Sequence, residues 1–181
     1  MNLEQAMKQD FPLSKVYGLL ETGPVVLITT AWNGMRDVMT QSWHMMIEFE
    51  PPIVACVVSD ANYSFGLLDG SGECAINIPT FEMAEKVVGC GNSSGRDIDK
   101  FEVFSLKSEK ASLISAPLID ECYANLECRV IDRMPVYGLF ILEVLKAWMN
   151  PEAKAPRTMH HKGHGEFMIA GETVTLPSKM K

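Results

Sequence analysis

Residues 23–43 read GPVVLITTAWNGMRDVMTQSW. Gly23-Pro24 is a turn pair, and the β-branched run from Val25 to Thr30 reads as a strand. Asn33-Gly34 is the dipeptide that tight hairpins prefer, so Arg36 to Trp43 is expected to return antiparallel.

The neighbouring segments extend this pattern. Ile53 to Val58 follows Pro51-Pro52 and reads as a strand buried on both faces. From Glu73 to Ile78, Cys74, Ile76 and Ile78 share one face, while Glu73, Ala75 and Asn77 take the other. Ala124, Leu126, Cys128 and Val130 alternate in the same way with Asn125, Glu127 and Arg129. Leu139 to Leu145 is a further, nearly all-apolar strand, and Phe167 to Leu176 suggests a last hairpin around Ala170-Gly171. Helical pattern is confined to the N-terminal stretch, Tyr63 to Leu68, Phe81 to Val88 and Asp97 to Phe104. Many strands with few short helices predict a mainly β chain of the α+β class, closed or nearly closed as an antiparallel barrel. Closure removes the edges that strands this apolar would otherwise expose.

A chain of 181 residues suits one domain spanning 1–181. A net charge of −7 without a long Lys/Arg run argues against nucleic acid and anionic lipid. Residues 1–20 are charged throughout, unlike a signal peptide, and no segment approaches the ~20 apolar residues of a membrane helix. The cysteines, Cys56, Cys74, Cys90, Cys122 and Cys128, are odd in number and form no CxxC pair. Reduced structural thiols in a cytoplasm are expected.

Four constellations invite chemistry. The first is GCGNSSGRDIDKF, residues 89–101. Its G-x-G-x-x-x-G spacing is one residue too long for a dinucleotide fingerprint, and a helical pattern precedes it where a strand is required. Ser94 fits an N-cap for a helix from Asp97 to Phe104, with Lys100 one turn inside. On this loop alone an ordinary cap is the simpler reading. The second is SDANYSF, residues 59–65, where Asn62 or Ser64 suits an N-cap and the helix start offers a phosphate seat. The third, Met39-Thr40-Gln41-Ser42-Trp43, sets polar groups beside an aromatic surface, as a planar heterocycle requires. The fourth is His160, His161 and His164, which lack an HExxH pattern and read as a loop with exposed imidazoles, the approach of one to a ligand being left open. G-x-S-x-G and P-loop motifs are absent, a silence expected where the hard chemistry resides in a cofactor.

The ordered set GPVVLITT, MTQSWHMMIEFEPPIVACVV, SDANYSFGLL, GECAINIPT and SGRDIDKF, with the ending MHHKGHGEFMIAG, resembles the flavin reductase-like proteins, and among them the flavoredoxins. That resemblance implies a homodimeric split antiparallel β-barrel with one FMN per subunit near the dimer interface. By position, Thr29, Thr30 and Met39 to Trp43 (through Thr40, Gln41 and Ser42) would line the isoalloxazine. Trp32 or Trp43 would supply an apolar wall. Ser59, Asn62, Tyr63 and Ser64 would seat the phosphate, and Ser94 and Lys100 would close over it, with Cys90 and Arg96 in the same segment. The implied function is electron transfer through bound FMN, served by a redox partner protein or NAD(P)H. The alternatives are an NAD(P)H:flavin oxidoreductase that releases reduced flavin, and a non-redox module that binds or senses a phosphorylated ligand.

Overall fold

The computed structural model describes residues 7–179. In chain order the elements are β1 (Gln9–Asp10), α1 (Tyr17–Leu20), β2 (Val26–Trp32), β3 (Met35–Gln41), β4 (His44–Glu48) and β5 (Ile53–Val57). There follow α2 (Tyr63–Ser71), β6 (Glu73–Ile78), α3 (Ala84–Gly91), α4 (Lys100–Val103), β7 (Ser108–Glu109) and β8 (Leu118–Ile119). β9 (Ala124–Met134), β10 (Leu139–Met149), β11 (Met159–Gly163) and β12 (Glu166–Ile169) complete the set. The fold is mainly antiparallel sheet with a few short helices, as expected.

One sheet runs β3-β2-β6-β9-β10-β5-β4, with β1 beside β10. Val26 and Ile28 of β2 share an apolar cluster with Val54 of β5 and Phe140 and Leu142 of β10, so the sheet curls around its own core. The curl stops short of closure. Among the described residues no ladder joins β3 to β4, although they are consecutive in the chain. A side chain spans the gap instead: Gln41 Nε2 donates to Trp43 O at 2.6 Å and to Val57 O at 3.3 Å.

The opening hairpin forms as read, with Val26 opposite Gln41 and Trp32 opposite Met35. Asn33 (φ 51°) and Gly34 (φ 78°) both take the left-handed conformation that a type I′ turn requires. The return strand ends at Gln41, leaving Ser42 and Trp43 as a corner before β4, a strand that the sequence reading did not separate. Two further expectations are corrected. The terminal hairpin turns at His164-Gly165, not at Ala170-Gly171, because His164 (φ 50°) and Gly165 (φ 77°) supply the turn. The helix expected over Asp97 to Phe104 is only α4, and Asp99 caps it by accepting from the amides of Phe101 and Glu102. Ser94 Oγ accepts from Arg96 N in the preceding turn. Of the expected N-terminal helix, α1 is present, and residues 1–6 lie outside the described residues.

The polar face of β6 and β9 is buried. Asn77 Oδ1 accepts from Ile119 N at 3.0 Å and from Asn125 Nδ2 at 2.7 Å. Glu127 accepts from the amides of Ser112 (3.0 Å) and Leu113 (2.6 Å) and from Trp148 Nε1 (2.7 Å). These side chains hold the 105–123 segment across the sheet, where Ala111, Ile114, Ala116 and Leu118 pack on Ala75. Buried polar groups are tolerated there because each is hydrogen-bonded.

A second buried interaction frames one end of the sheet. Asp37 on β3 is 3% exposed and Lys100 on α4 is 4% exposed. Lys100 Nζ lies 3.4 Å from Asp37 Oδ1 and donates to Val38 O at 2.7 Å, while Ser64 Oγ of α2 donates to Asp37 Oδ2 at 2.5 Å. One carboxylate thus joins β3, α2 and α4. A Cβ on Gly95 would overlap that carboxylate and the Tyr63 ring, so only glycine lets the 92–99 loop lie this close.

Removing one partner of a buried ion pair strands the other charge. Lys100→Met should cost about 3–5 kcal/mol in urea unfolding, and adding Asp37→Asn should recover part of the loss. Wild-type stability in the single variant would show that the pair does not hold these elements. Burial also lowers the pKa of His44, partly opposed by its hydrogen bond to Pro24 O. A folded-state pKa below the unfolded value makes acid favour unfolding, so this stability is complete above about pH 7 and declines as pH falls toward about 5. The urea midpoint of His44→Gln should fall less over that range than that of wild type.

Candidate functional site

The corner at Ser42-Trp43 opens onto a cleft of about 420 Å³. Its size falls within the range of small-molecule and cofactor sites. The end of β3 forms one wall through Met39, Thr40 and Gln41, and Ser42 and Trp43 continue it. The facing wall is α3, through Val87, Val88, Gly91 and Asn92. Val88, Gly91 and Asn92 are spaced i, i+3, i+4 and therefore share one helix face. Thr40 Oγ1 donates to Val87 O at 2.5 Å and fixes the two walls together.

The remaining borders come from distant parts of the chain. Asn62, immediately before α2, lies at one end of the cleft. His161, Gly165 and Phe167 of the terminal hairpin lie over it. Met159 O accepts from Val25 N at 2.7 Å, which ties the hairpin to the start of β2 beside the cleft, and Thr158 O accepts from Ala170 N at 2.9 Å, which extends the hairpin's own ladder. Phe167, His161 and the exposed Trp43 bring aromatic surface to a lining that is otherwise aliphatic or neutral polar.

Gln41 is the most informative of these residues. It is 5% exposed, and its amide nitrogen is committed to Trp43 O and Val57 O. Its Oε1 is buried and has no hydrogen-bond partner among the described residues. An unpaired buried acceptor costs about 1–3 kcal/mol, which a ligand N–H would relieve.

Six of the residues read from the sequence border this cleft: Met39, Thr40, Gln41, Ser42, Trp43 and Asn62. The others lie behind or beside it. Thr29 and Thr30 are fully buried in β2, and Thr29 Oγ1 donates to Pro117 O at 2.5 Å. Ser59 Oγ accepts from Ala61 N, and Tyr63 OH donates to Met35 Sδ. Ser64 is spent on Asp37, and Lys100 on Asp37 and Val38 O. Cys90 is buried on the core side of α3, packed with Val38 and Phe101, and burial pushes its thiol up to about 11. Ser94 serves its own turn.

Trp32 packs over Gly70 of α2 and does not border the cleft, which leaves Trp43 as its tryptophan wall. Arg96 lies near the start of α2, with Nη1 donating to Ala61 O at 2.9 Å and its guanidinium 5.8 Å from the centre of the Tyr63 ring. The α3 face was missed because the sequence reading ended that helix at Val88, and His161 and Phe167 became cleft residues only once the hairpin turn was placed at His164-Gly165.

The family model described as flavin reductase like domain matches residues 20–167. The Escherichia coli (strain K12) protein YddH is 33% identical over 174 residues, covering 87% of this chain and 92% of its own length. Among solved structures, an FMN-binding domain of a flavin reductases-like enzyme from Shewanella baltica OS155 superposes with a TM-score of 0.89 at 24% identity, covering 96% of this chain and 99% of that one. The flavoredoxin of Desulfovibrio vulgaris (Miyazaki F) gives 0.79 at 20% identity, with 87% and 91% covered. These superpositions establish a shared split-barrel fold. With a family match across most of its length, the chain belongs to the flavin reductase-like family.

Proposed function

We propose that this protein binds FMN in the cleft between β3, α3 and the terminal hairpin and passes electrons through it. The observation that carries the reading is the buried, unpartnered Oε1 of Gln41 in a cleft with an aromatic wall. A planar ring bearing an N–H edge would satisfy that oxygen while stacking on Trp43 or Phe167. Bound FMN would supply reversible electron transfer, a chemistry that no side chain here provides. The flavin-binding relatives in the same fold support this choice.

The chain's own residues would do the rest. The strand end from Met39 to Ser42 orients the ring, and α3 excludes water from the opposite side. The first amides of α2, at Tyr63 and Ser64, precede its first backbone bond (Phe65 N to Asn62 O, 3.2 Å) and favour an anion, and the nearby Arg96 adds a positive charge. In this reading Lys100 acts indirectly, by holding α4 and, through Asp37, α2 in place. The five cysteines are free and buried, which fits a reducing compartment such as the cytoplasm.

We also propose a homodimer. Trp43, Met45, Ile47 and Phe49 lie along the outer side of β4 at two-residue spacing and are 73%, 62%, 51% and 48% exposed. An apolar edge strand of this kind needs a cover. A second copy would supply one, and because Trp43 also borders the cleft, it would lie beside the cofactor.

The purified protein should show a flavin absorption spectrum that survives gel filtration, or acquire one on adding FMN. Trp43→Ala should weaken FMN binding by about threefold to tenfold. Rapid NADPH oxidation with freely exchanging flavin would favour the reductase alternative, and absence of any flavin binding would overturn the reading. In sedimentation velocity, wild type should run as a dimer and Ile47→Glu as a monomer. An unchanged dimer in Ile47→Glu would place the interface elsewhere.

A further inference from the structure

The terminal hairpin carries three of the chain's four histidines, and their environments differ. His160 is structural: one ring nitrogen meets Gly23 O at 3.2 Å and the other meets Thr158 Oγ1 at 3.1 Å. His164 sits in the turn with φ 50°. His161 borders the cleft directly across the hairpin from Phe167, its ring centroid 5.2 Å from that of the phenylalanine. Among the described residues neither ring nitrogen of His161 has a hydrogen-bond partner.

His161 is the one titratable side chain among the residues that border the cleft. The cleft residues of β3, α3 and the start of α2 are all uncharged. On the hairpin itself, Lys162 is paired with Glu166 at 3.2 Å. Lys86 is engaged by Ser105 O and Glu121, and Lys100 is buried against Asp37. A negatively charged oxygen bound in the cleft therefore has two cationic candidates, Arg96 at the α2 end, whose guanidinium is always protonated, and His161 at the hairpin end. A phosphorylated flavin brings such oxygens at its phosphate, while the polar edge of its oxidised ring brings neutral carbonyl acceptors.

We propose that His161 is a binding residue for the flavin nucleotide and donates a charge-assisted hydrogen bond from its imidazolium to an anionic oxygen of the cofactor. This rests on the reading that the cleft holds FMN. An imidazole gains on protonation the charge that a charge-assisted contact needs, so the contact is read as a pH-dependent difference between wild type and a variant without the charge. The phosphate's own second ionisation, near pH 6, works in the opposite direction and must be separated from it. Gln in place of His161 keeps an N–H donor without the charge, and Lys keeps the charge throughout the range.

Quenching of flavin fluorescence should be titrated at pH 5.5 and 8.5 with FMN and with riboflavin, using wild type, His161→Gln and His161→Lys. The wild-type advantage over His161→Gln should be roughly tenfold larger at the lower pH, as expected for gaining a charge-assisted contact. His161→Lys should stay tight at both. A pH-dependent difference between wild type and His161→Gln with FMN but not riboflavin assigns the contact to the phosphate, and the same difference with both flavins moves it to a neutral ring-edge carbonyl and overturns the anionic contact. Identical pH dependence in wild type and His161→Gln for both ligands overturns the proposal. No quenching of either flavin by wild type at either pH removes the cleft as a flavin site, a separate failure that would occur whatever stands at position 161.

Discussion

Taking the Asp37 carboxylate out of water is tolerable only if its charge is answered on the spot. Lys100 and Ser64 provide that answer, one from α4 and one from α2. Because β3 continues from Asp37 to Gln41, the same interaction fixes the strand whose end forms the cleft wall. The glycine-rich loop takes its path from this constraint, since Gly95 must lie against the carboxylate without a side chain between. A lysine beside a run of glycines and serines resembles phosphate chemistry in the linear sequence. In three dimensions this lysine is a structural countercharge.

The far side of the sheet solves a related problem by different means. Asn77, Asn125 and Glu127 would face water in a two-layer fold. Here they bind the main chain of the 105–123 segment, and Trp148 adds its indole N–H. The segment has little regular structure of its own, so these side chains satisfy amides that would otherwise be buried without partners. Both faces of the central strands are thereby covered, and the edge at β4 keeps a row of exposed apolar side chains.

The functional reading depends on the break between β3 and β4. Had the barrel closed there, a ladder would have satisfied the backbone and filled the space. The corner at Ser42-Trp43 instead leaves Gln41 bridging the gap, with one oxygen unpaired and an indole turned outward. The cleft is built from pieces more than 100 residues apart in the chain, from Met39 to Phe167.

By itself the sequence determined the central strands β2, β3, β5, β6, β9 and β10, the Asn33-Gly34 turn and the stretch from Met39 to Trp43 that borders the cleft. These are local properties: side-chain alternation, β-branching and left-handed turn residues act over a few positions. Family likeness in the sequence also pointed to the split barrel. Only the tertiary structure decided which polar residues face a ligand and which face one another. Lys100, Ser64 and Cys90 became internal, while His161, Phe167 and the α3 face became cleft walls. The physical reason is that burial and pairing are set by what packs opposite a residue, and those neighbours lie far away in the chain.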